Sequence, residues 1–333
     1  MNEVRVLETL RMWLLTAAFS LWPWLGAAAE APLVLEATIP LEDVGGRIDH
    51  MAVDLARRRL LVVELGNGSV DVVDLAGAKR FHRINGLEEP QGLAYVPGAD
   101  LVVVASAGDG TVRFFRGDDY APAGVVMLGD DADNVRVDPG TGQVIVGYGS
   151  GGLAVIDPAT RTVTRTIPLP VHPEGFQLDP ASPRVFVNLP DARRIGVVDR
   201  AAGRLLATWP LQGLGANFPM AIDGEGRTIA SVFRSPHQLV LFDIDNGATK
   251  ASAETCGDAD DVFFDAKRQR IYVSCGEGMV DVRQRDGSAI ARVPTSPGAR
   301  TALFIPELDR LVVAARAGLF GSTAQLLIYR PAP

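Results

Sequence analysis

The stretch HMAVDLARRRLLVV, residues 50–63, decides the fold because six related segments follow it along the chain. It contains a short apolar run, a turn at Asp54 and a second run rich in leucine and valine. The related segments are GLAYVPGADLVVV at 92–104, NVRVDPGTGQVIV at 134–146, GFQLDPASPRVFV at 175–187, PMAIDGEGRTIAS at 219–231, DVFFDAKRQRIYV at 261–273 and ALFIPELDRLVVA at 302–314. Apolar runs on both sides of a short turn predict two antiparallel strands in each segment.

The turn recurs at a nearly constant interval. Its marker residues are Asp54, Pro97, Asp138, Asp179, Asp223, Asp265 and Pro306, and successive markers are 43, 41, 41, 44, 42 and 41 residues apart. A third apolar segment follows each turn, as in VDVVD at 70–74, and then a more polar fourth, as in TVTRTIPL at 162–169. Four strands in about 42 residues are typical of one propeller blade. The sequence therefore predicts an all-β fold, a seven-bladed β-propeller with four-stranded blades.

The predicted blades begin near residues 47, 90, 131, 172, 216, 258 and 299. The seventh repeat reaches Pro333 with only three strands, whereas LVLEATIPL at 33–41 resembles a fourth strand and precedes the first repeat. We expect strand 33–41 to complete the last blade and close the ring, which removes an exposed sheet edge. The propeller would then occupy residues 30–333. The alternative is two separate β domains, but no linker interrupts the spacing.

The first 29 residues have the pattern of a secretory signal peptide. Arg5 and Arg11 precede an apolar run at 12–25, and three alanines at 27–29 offer a small-residue cleavage site. The alternative is an uncleaved membrane anchor, although the run is shorter than the about 20 residues that a span requires. We expect a periplasmic or secreted protein with no membrane span after the signal is cleaved.

Charge and cysteine content narrow the partners. The formal net charge of −8 argues against a nucleic-acid partner, because such proteins normally carry a basic stripe.

The two cysteines, Cys256 and Cys275, lie in a chain predicted to reach an oxidising compartment, where a pair is usually a disulfide. Cys275 ends a strand that runs back antiparallel toward the loop of Cys256, so we expect the two to be bonded. Two buried free thiols are the alternative.

Several segments resemble the YVTN or YncE-like branch of bacterial propellers, and more distantly the gluconolactonase and NHL groups. They are GRIDHMAVD at 46–54, LGNGSVDVVD at 65–74, PQG at 90–92 and PEG at 173–175. The resemblance covers the chain from about residue 33 to its end and implies the propeller fold. These families contain both binding proteins and enzymes, so the resemblance does not assign an activity.

Motifs for nucleophilic or zinc-dependent hydrolysis are missing from the sequence. The nearest string to G-x-S-x-G is GYGSGG at 147–152, which has Tyr148 in place of the first glycine. The four histidines, His50, His82, His172 and His237, do not form the H-E-x-x-H pattern of a zinc peptidase. The sequence therefore predicts no catalytic residue.

The connection that leads into each first strand supplies the candidate site. In a propeller these connections gather around the mouth of the central channel. Their polar residues predict a ligand-binding set of Asp49, His50, Gln91, Asp133, Asn134, Glu174, Asn217, Asp260, Asp261 and Arg300. Oxygen ligands are those that Ca²⁺ prefers, so Ca²⁺ or another divalent cation would be held by Asp49, Asn134, Glu174, Asn217 and Asp260. The alternative is a solvated polar funnel whose side chains only cap loop amides.

Three functions fit this pattern. The first is an exported, non-catalytic binding or scaffold propeller whose acidic mouth takes a cation, a small ligand or an exported protein partner. The second is a metal-dependent, lactonase-like hydrolase or lyase, since gluconolactonase-like enzymes hold a divalent ion at the mouth with Glu, Asn and Asp. Here the glutamate, Glu174, lies in the fourth repeat rather than the first. The third is an accessory subunit of an exported redox system. The turns on the opposite face are rich in arginine, which predicts charge segregation between the two faces.

Overall fold

The structure, a computed structural model, describes residues 31–318 and 321–333. The signal peptide predicted at 1–29 lies outside these residues. The described strands are, in chain order, β1 (Leu33–Leu41), β2 (Met51–Asp54), β3 (Arg59–Glu64), β4 (Ser69–Asp74), β5 (Lys79–Asn85), β6 (Pro90–Val96), β7 (Leu101–Ser106), β8 (Thr111–Arg116), β9 (Pro122–Met127), β10 (Val135–Val137), β11 (Val144–Tyr148), β12 (Gly152–Asp157), β13 (Thr162–Pro168), β14 (Phe176–Leu178), β15 (Arg184–Leu189), β16 (Arg194–Asp199), β17 (Arg204–Pro210), β18 (Gly215–Asp223), β19 (Thr228–Ser235), β20 (His237–Asp243), β21 (Thr249–Glu254), β22 (Ala259–Asp265), β23 (Arg270–Cys275), β24 (Met279–Gln284), β25 (Ala289–Pro294), β26 (Thr301–Ile305), β27 (Arg310–Ala315) and β28 (Ala324–Pro331). Among the described residues, two short 3-10 helices occupy Leu65–Asn67 and Pro306–Leu308.

In the described part of the chain these strands form seven antiparallel sheets of four strands each. Blade one is β2 to β5, and blades two to six follow in the same consecutive order. The first strand of each blade lies innermost, and β2 contacts both β6 and β26, so the sheets are arranged in a ring. The predicted seven-bladed β-propeller is confirmed.

The last blade is completed by the first strand. β1 pairs antiparallel with β28, from Leu33 opposite Pro331 to Leu41 opposite Ala324, and the sheet order is β1, β28, β27, β26. The N-terminal strand therefore closes the ring, as the sequence predicted.

The hydrophobic core lies between neighbouring blades. Along β3, Leu60 and Val62 pack with blade seven, whereas Leu61 and Val63 pack with blade two. Successive side chains of a strand point to opposite faces, so an inner strand with both faces covered must be apolar at every position. The outer strands are polar because one of their faces meets solvent, and β13 is exposed over most of its length.

The marker aspartates cap the turns that connect the first and second strands. The Oδ1 atom of Asp54 accepts the backbone N–H of Arg57 at 3.1 Å, and Asp265 accepts that of Arg268 at the same distance. Asp223 likewise accepts the amide three residues on, from Gly226, whereas Asp138 and Asp179 accept the amides two residues on, from Gly140 and Ala181. Aspartate recurs at this point of the repeat because its short carboxylate satisfies an otherwise unpaired turn amide.

Two glycines of the Pro-x-Gly motifs allow neighbouring inner strands to approach. A β-carbon on Gly92 would overlap the carbonyl oxygen of Asp133 in blade three. A β-carbon on Gly175 would overlap the carbonyl oxygen of Phe218 in blade five, which accepts the Gly175 N–H at 3.1 Å. These motifs therefore bring blade edges together at the axis.

The disulfide between Cys256 and Cys275 is confirmed, with α-carbons 5.9 Å apart. It joins the loop before β22 to the end of β23, within the core between blades five and six. Among the described residues there is no free cysteine.

Candidate functional site

A cavity of about 210 Å³ opens where the first strands of the blades meet on the propeller axis. We call it the axial cavity. Among the described residues, all seven blades contribute to its wall. Its polar and aromatic side chains include Arg47, Asp49, His50, Gln91, Asp133, Asn134, Arg136, Glu174, Gln177, Phe218, Arg234, Asp260, Asp261 and Arg300.

The axial cavity brings together nine of the ten residues in the predicted ligand-binding set. They are Asp49, His50, Gln91, Asp133, Asn134, Glu174, Asp260, Asp261 and Arg300. Asn217 does not line it. Its side-chain amide is fully buried and donates hydrogen bonds to Asn188 Oδ1 at 2.9 Å and to the Arg194 carbonyl oxygen at 3.2 Å. A bulge in β18 between Asn217 and Met220 changes the strand register at this point, which the sequence pattern did not reveal.

On one side of the cavity, Asp49 lies between two bases. Its Oδ2 is 2.8 Å from Arg47 and its Oδ1 is 3.1 Å from His50 Nδ1. Burial works to raise the pKa of Asp49, but His50, Arg47 and Arg300 outweigh burial and hold that pKa below its usual value. Burial works to lower the pKa of His50, but Asp49, Asp133 and Asp261 raise it to about 10. At neutral pH the pair is therefore an imidazolium next to a carboxylate.

On the other side, two arginines hold two aspartates. Arg234 pairs with Asp260 and lies 3.3 Å from Asp258, while Arg300 lies 2.9 Å from Asp258 and 3.1 Å from Asp260. The Arg234 guanidinium also lies over the Phe218 ring, 4.3 Å from its centroid. Both carboxylates are thus already neutralised by the protein.

Three further carboxylates are raised in pKa to about 7, and burial is the largest cause for each: Asp133, Glu174 and Asp261. The Asp261 carboxylate accepts the Ala302 N–H at 2.7 Å. Glu174 is influenced by charges at a distance, chiefly the negative charge of Asp260. Its carboxylate forms no hydrogen bond or ion pair with any residue that the structure describes, whereas its backbone N–H donates to the Asn188 carbonyl oxygen at 3.0 Å. These acids lack the close cationic partners that Asp49 and Asp260 have.

The Asp133 carboxylate has an oxygen without a partner. The residue is 7% exposed, and its Oδ2 accepts a hydrogen bond of 3.3 Å from Asn134 Nδ2. Its Oδ1 is buried and has no hydrogen-bond partner among residues 31–318 and 321–333. Leaving such an oxygen unpaired costs about 1–3 kcal/mol, so this atom is suited to receive a donor from a bound molecule.

Sequence reasoning missed two arginines of the cavity wall. Arg136 lies two residues after Asn134, and strand alternation places these two side chains on the same face of the inner strand. That alternation could have found Arg136. Arg234 lies near the end of β19, a second strand, and no sequence signal indicated that it reaches the mouth. With these arginines the cavity is mixed in charge, with five carboxylates and four guanidiniums among the described residues.

The residues present do not fit the divalent ion that the gluconolactonase resemblance implies. Asp49 and Asp260 are engaged by basic side chains, and Asn217 does not face the cavity. Within the described ranges, no three Asp, Glu, His or Cys side chains are grouped closely enough to hold a metal ion. A calcium site needs six or more oxygen ligands around one point, which this arrangement does not supply.

The arginine-rich turns of the opposite face are balanced by nearby acids. Arg57 pairs with Asp54 and Asp100, and Arg268 pairs with Asp265 and Asp309. Further pairs on this face are Arg184 with Asp179, Arg227 with Asp245, and Lys267 with Asp309. The basic residues therefore stabilise turns and contacts between blades.

Comparison with solved structures finds the same fold in hydrazine synthase from Kuenenia stuttgartiensis. The similarity has a TM-score of 0.73 and covers 86% of this chain and 97% of that chain, with 16% sequence identity. The chain shares its fold with that protein. At this identity the similarity concerns the fold alone. No family model matches the sequence, and no curated protein matches it.

A β-propeller fits a binding or scaffold role. In the described ranges, no helix is long and apolar enough to cross a membrane. The disulfide is consistent with an exported protein, because such bonds persist in oxidising compartments.

Proposed function

We propose that this protein is an exported, non-catalytic binding propeller that takes a small polar ligand in the axial cavity. Asp133 and Glu174 would be its anionic contacts. The observation that carries the proposal is the buried Oδ1 of Asp133, which belongs to a residue of the cavity wall and lacks a hydrogen-bond partner in the described structure. A ligand with an N–H or O–H donor would remove the cost of this unpaired oxygen.

The remaining wall residues favour binding of a donor-bearing molecule. Glu174 is a second carboxylate without a close partner, and Gln91 adds an amide to the wall. A cavity of about 210 Å³ has room for several water molecules, since one water needs about 10–15 Å³ of such space. The ligand would therefore be the size of a single amino acid or a short sugar fragment. The protein's own ion pairs would fix the surrounding wall before the ligand arrives, which lowers the entropic cost of binding.

The ion pairs that Asp49 and Asp260 form with arginines favour binding over lactonase-like hydrolysis. Asp49 and Asp260 neutralise arginines, so they are not available to hold an ion that would polarise a carbonyl.

We further propose that the chain belongs with the YVTN or YncE-like propellers. The Pro-x-Gly segments at 90–92 and 173–175 support this, because both glycines have the same close-contact role between blades.

A thermal-shift panel at pH 8 tests the proposal. The probes are millimolar CaCl₂, MgCl₂, n-butylamine, butyrate, 4-aminobutyrate, glucose and lysine, each against wild type, Asp133→Asn and the control Asp118→Asn. Asp118 is an exposed aspartate remote from the cavity wall. We expect a donor-bearing probe to raise the melting temperature of wild type and of the control, and to lose most of that effect in Asp133→Asn. Equal shifts in all three proteins would overturn a site at Asp133.

A further inference from the structure

One cation of the axial cavity also lacks a carboxylate partner. The Arg136 guanidinium donates a single hydrogen bond within the described structure, to the carbonyl oxygen of Val135 at 2.8 Å. It forms no ion pair with a described acid, and it lies 5.5 Å from the centroid of the Phe176 ring. A guanidinium has five N–H donors, so most of those of Arg136 are free to bind an acceptor in the cavity.

The other cavity arginines are occupied. Arg47 is bound to Asp49, while Arg234 and Arg300 share Asp258 and Asp260. After these pairs are set aside, the groups with unmet bonding capacity have opposite charges. On the anionic side they are Asp133, Glu174 and Asp261, and on the cationic side Arg136.

The two kinds of group lie at different depths. Each first strand runs from the mouth toward the turn on the opposite face, so residues later in the strand lie further inside the channel. Asp133 and Glu174 precede β10 and β14, whereas Arg136 and Gln177 lie within these strands. Gln177 donates to the Met220 carbonyl oxygen at 2.8 Å, which fixes its amide in the inner part of the wall. Asp133 and Glu174 therefore lie nearer the mouth, and Arg136 lies deeper in the wall.

We infer that the ligand of the axial cavity is a small zwitterion of the amino-acid type, with an ammonium group and a carboxylate. The ammonium group would bind Asp133 and Glu174, and the carboxylate would reach inward to Arg136. A guanidinium binds a carboxylate with two parallel hydrogen bonds, which explains the choice of arginine at this depth. This inference rests on the proposed function, since it names the ligand class of the same cavity.

Isothermal titration with matched probes tests the inference. The zwitterions are glycine, β-alanine, 4-aminobutyrate, 5-aminovalerate and lysine, compared with the n-alkylamine and the n-alkylcarboxylate of the same chain length. We expect the best zwitterion to bind at least 10-fold more tightly than either matched single-charge probe. Arg136→Gln is expected to reduce its affinity to that of the amine, and Arg136→Lys to restore part of it. Arg194→Gln, at an exposed position outside the cavity wall, is the control and should leave binding unchanged.

The outcomes separate the two proposals. If amines bind as tightly as zwitterions and Arg136→Gln has no effect, the zwitterion class is overturned, while an Asp133-dependent site stands. If no probe of this panel binds, the zwitterion class is likewise overturned, and the thermal-shift panel decides on the cavity as a site. If Arg136→Gln does not fold, the Arg136→Lys variant and the wild-type preference for zwitterions over amines still decide the question.

Discussion

His50 Nε2 lies 3.1 Å from Asn134 Oδ1, so a side chain of blade one is bonded to a side chain of blade three across the axial cavity. The other ring nitrogen, Nδ1, lies 3.1 Å from Asp49. A protonated imidazole donates from Nε2 to Asn134, and its positive charge lies beside the Asp49 carboxylate. The mouth is therefore fixed by a charged bridge between blades.

The first prediction concerns the protonation of His50. Because Asp49, Asp133 and Asp261 raise its pKa to about 10, its ring should remain protonated at pH 8. A group with a raised pKa stabilises the fold fully below its usual pKa of 6.5, and the contribution is lost as the pH rises through about 10. An NMR titration of the ring signals measures this, with His50→Gln to assign the resonance. A midpoint between 6 and 7 would contradict the charged bridge.

The second prediction concerns Glu174, whose pKa is raised to about 7 chiefly by burial. The native protein binds this proton more tightly than the unfolded chain, so ionisation destabilises the fold as the pH rises from about 4.5 to about 7. Glu174→Gln should match wild type in unfolding free energy at pH 4.5. At pH 8 it should exceed wild type by on the order of 1–2 kcal/mol, after allowance for water in the channel. Urea denaturation at the two pH values measures this, with Glu254→Gln on an outer strand as control. If the unfolding free energies of Glu174→Gln and wild type differ by the same amount at both pH values, the raised pKa of Glu174 is contradicted.

The third prediction compares two ion pairs between blades with the same geometry. Arg57 binds both oxygens of Asp100 at 2.8 and 2.7 Å, and Arg268 binds both oxygens of Asp309 at 2.6 and 2.8 Å. The Arg57 side chain is 32% exposed, whereas that of Arg268 is 7% exposed. Solvent screens the first pair more, so double-mutant cycles with Gln and Asn should give a coupling below about 1 kcal/mol for Arg57–Asp100. The Arg268–Asp309 coupling should be larger, at about 1–3 kcal/mol. Equal coupling energies would show that burial does not determine the strength of these two ion pairs.

The fourth prediction concerns the disulfide. Cys256 and Cys275 are 19 residues apart, and closing a loop of this length stabilises the fold by about 3 kcal/mol through the unfolded chain. Cys256→Ser with Cys275→Ser should lower the unfolding free energy by about that amount. The bridge also restrains the loop of Asp258, so ligand affinity should fall with stability. Thiol titration of the denatured, unreduced protein should find no reactive thiol, and two per chain would contradict the bridge.

The fold could be predicted because its determinants are local and repeated. A marker aspartate such as Asp54 caps a turn by bonding an amide three residues away, so its spacing reveals each blade. Strand 33–41 could be assigned because the seventh repeat lacked a fourth strand, a deficit visible in the sequence.

The site could be predicted only in part, because the charge of the cavity depends on contacts between blades. The positions of Asp133 and Glu174 follow from the repeat, but the neutralisation of Asp260 does not. That depends on Arg234, which comes from a second strand of the preceding blade. The bulge that keeps Asn217 out of the cavity shifts the pairing register of its strand, and the short polar segment around Asn217 gives no sign of that shift. The sequence therefore indicated an acidic mouth where the structure has a mixed one.

The proposed binding of a small polar ligand requires that Asp133 Oδ1 receive a hydrogen bond from the bound molecule. A crystal structure of the protein at pH 8, soaked with the probe that gives the largest thermal shift, tests this most directly. We expect ligand density in the axial cavity, with a nitrogen or oxygen donor about 2.7–3.2 Å from Asp133 Oδ1. A cavity that contains only water, with the probe bound elsewhere on the surface, would contradict it.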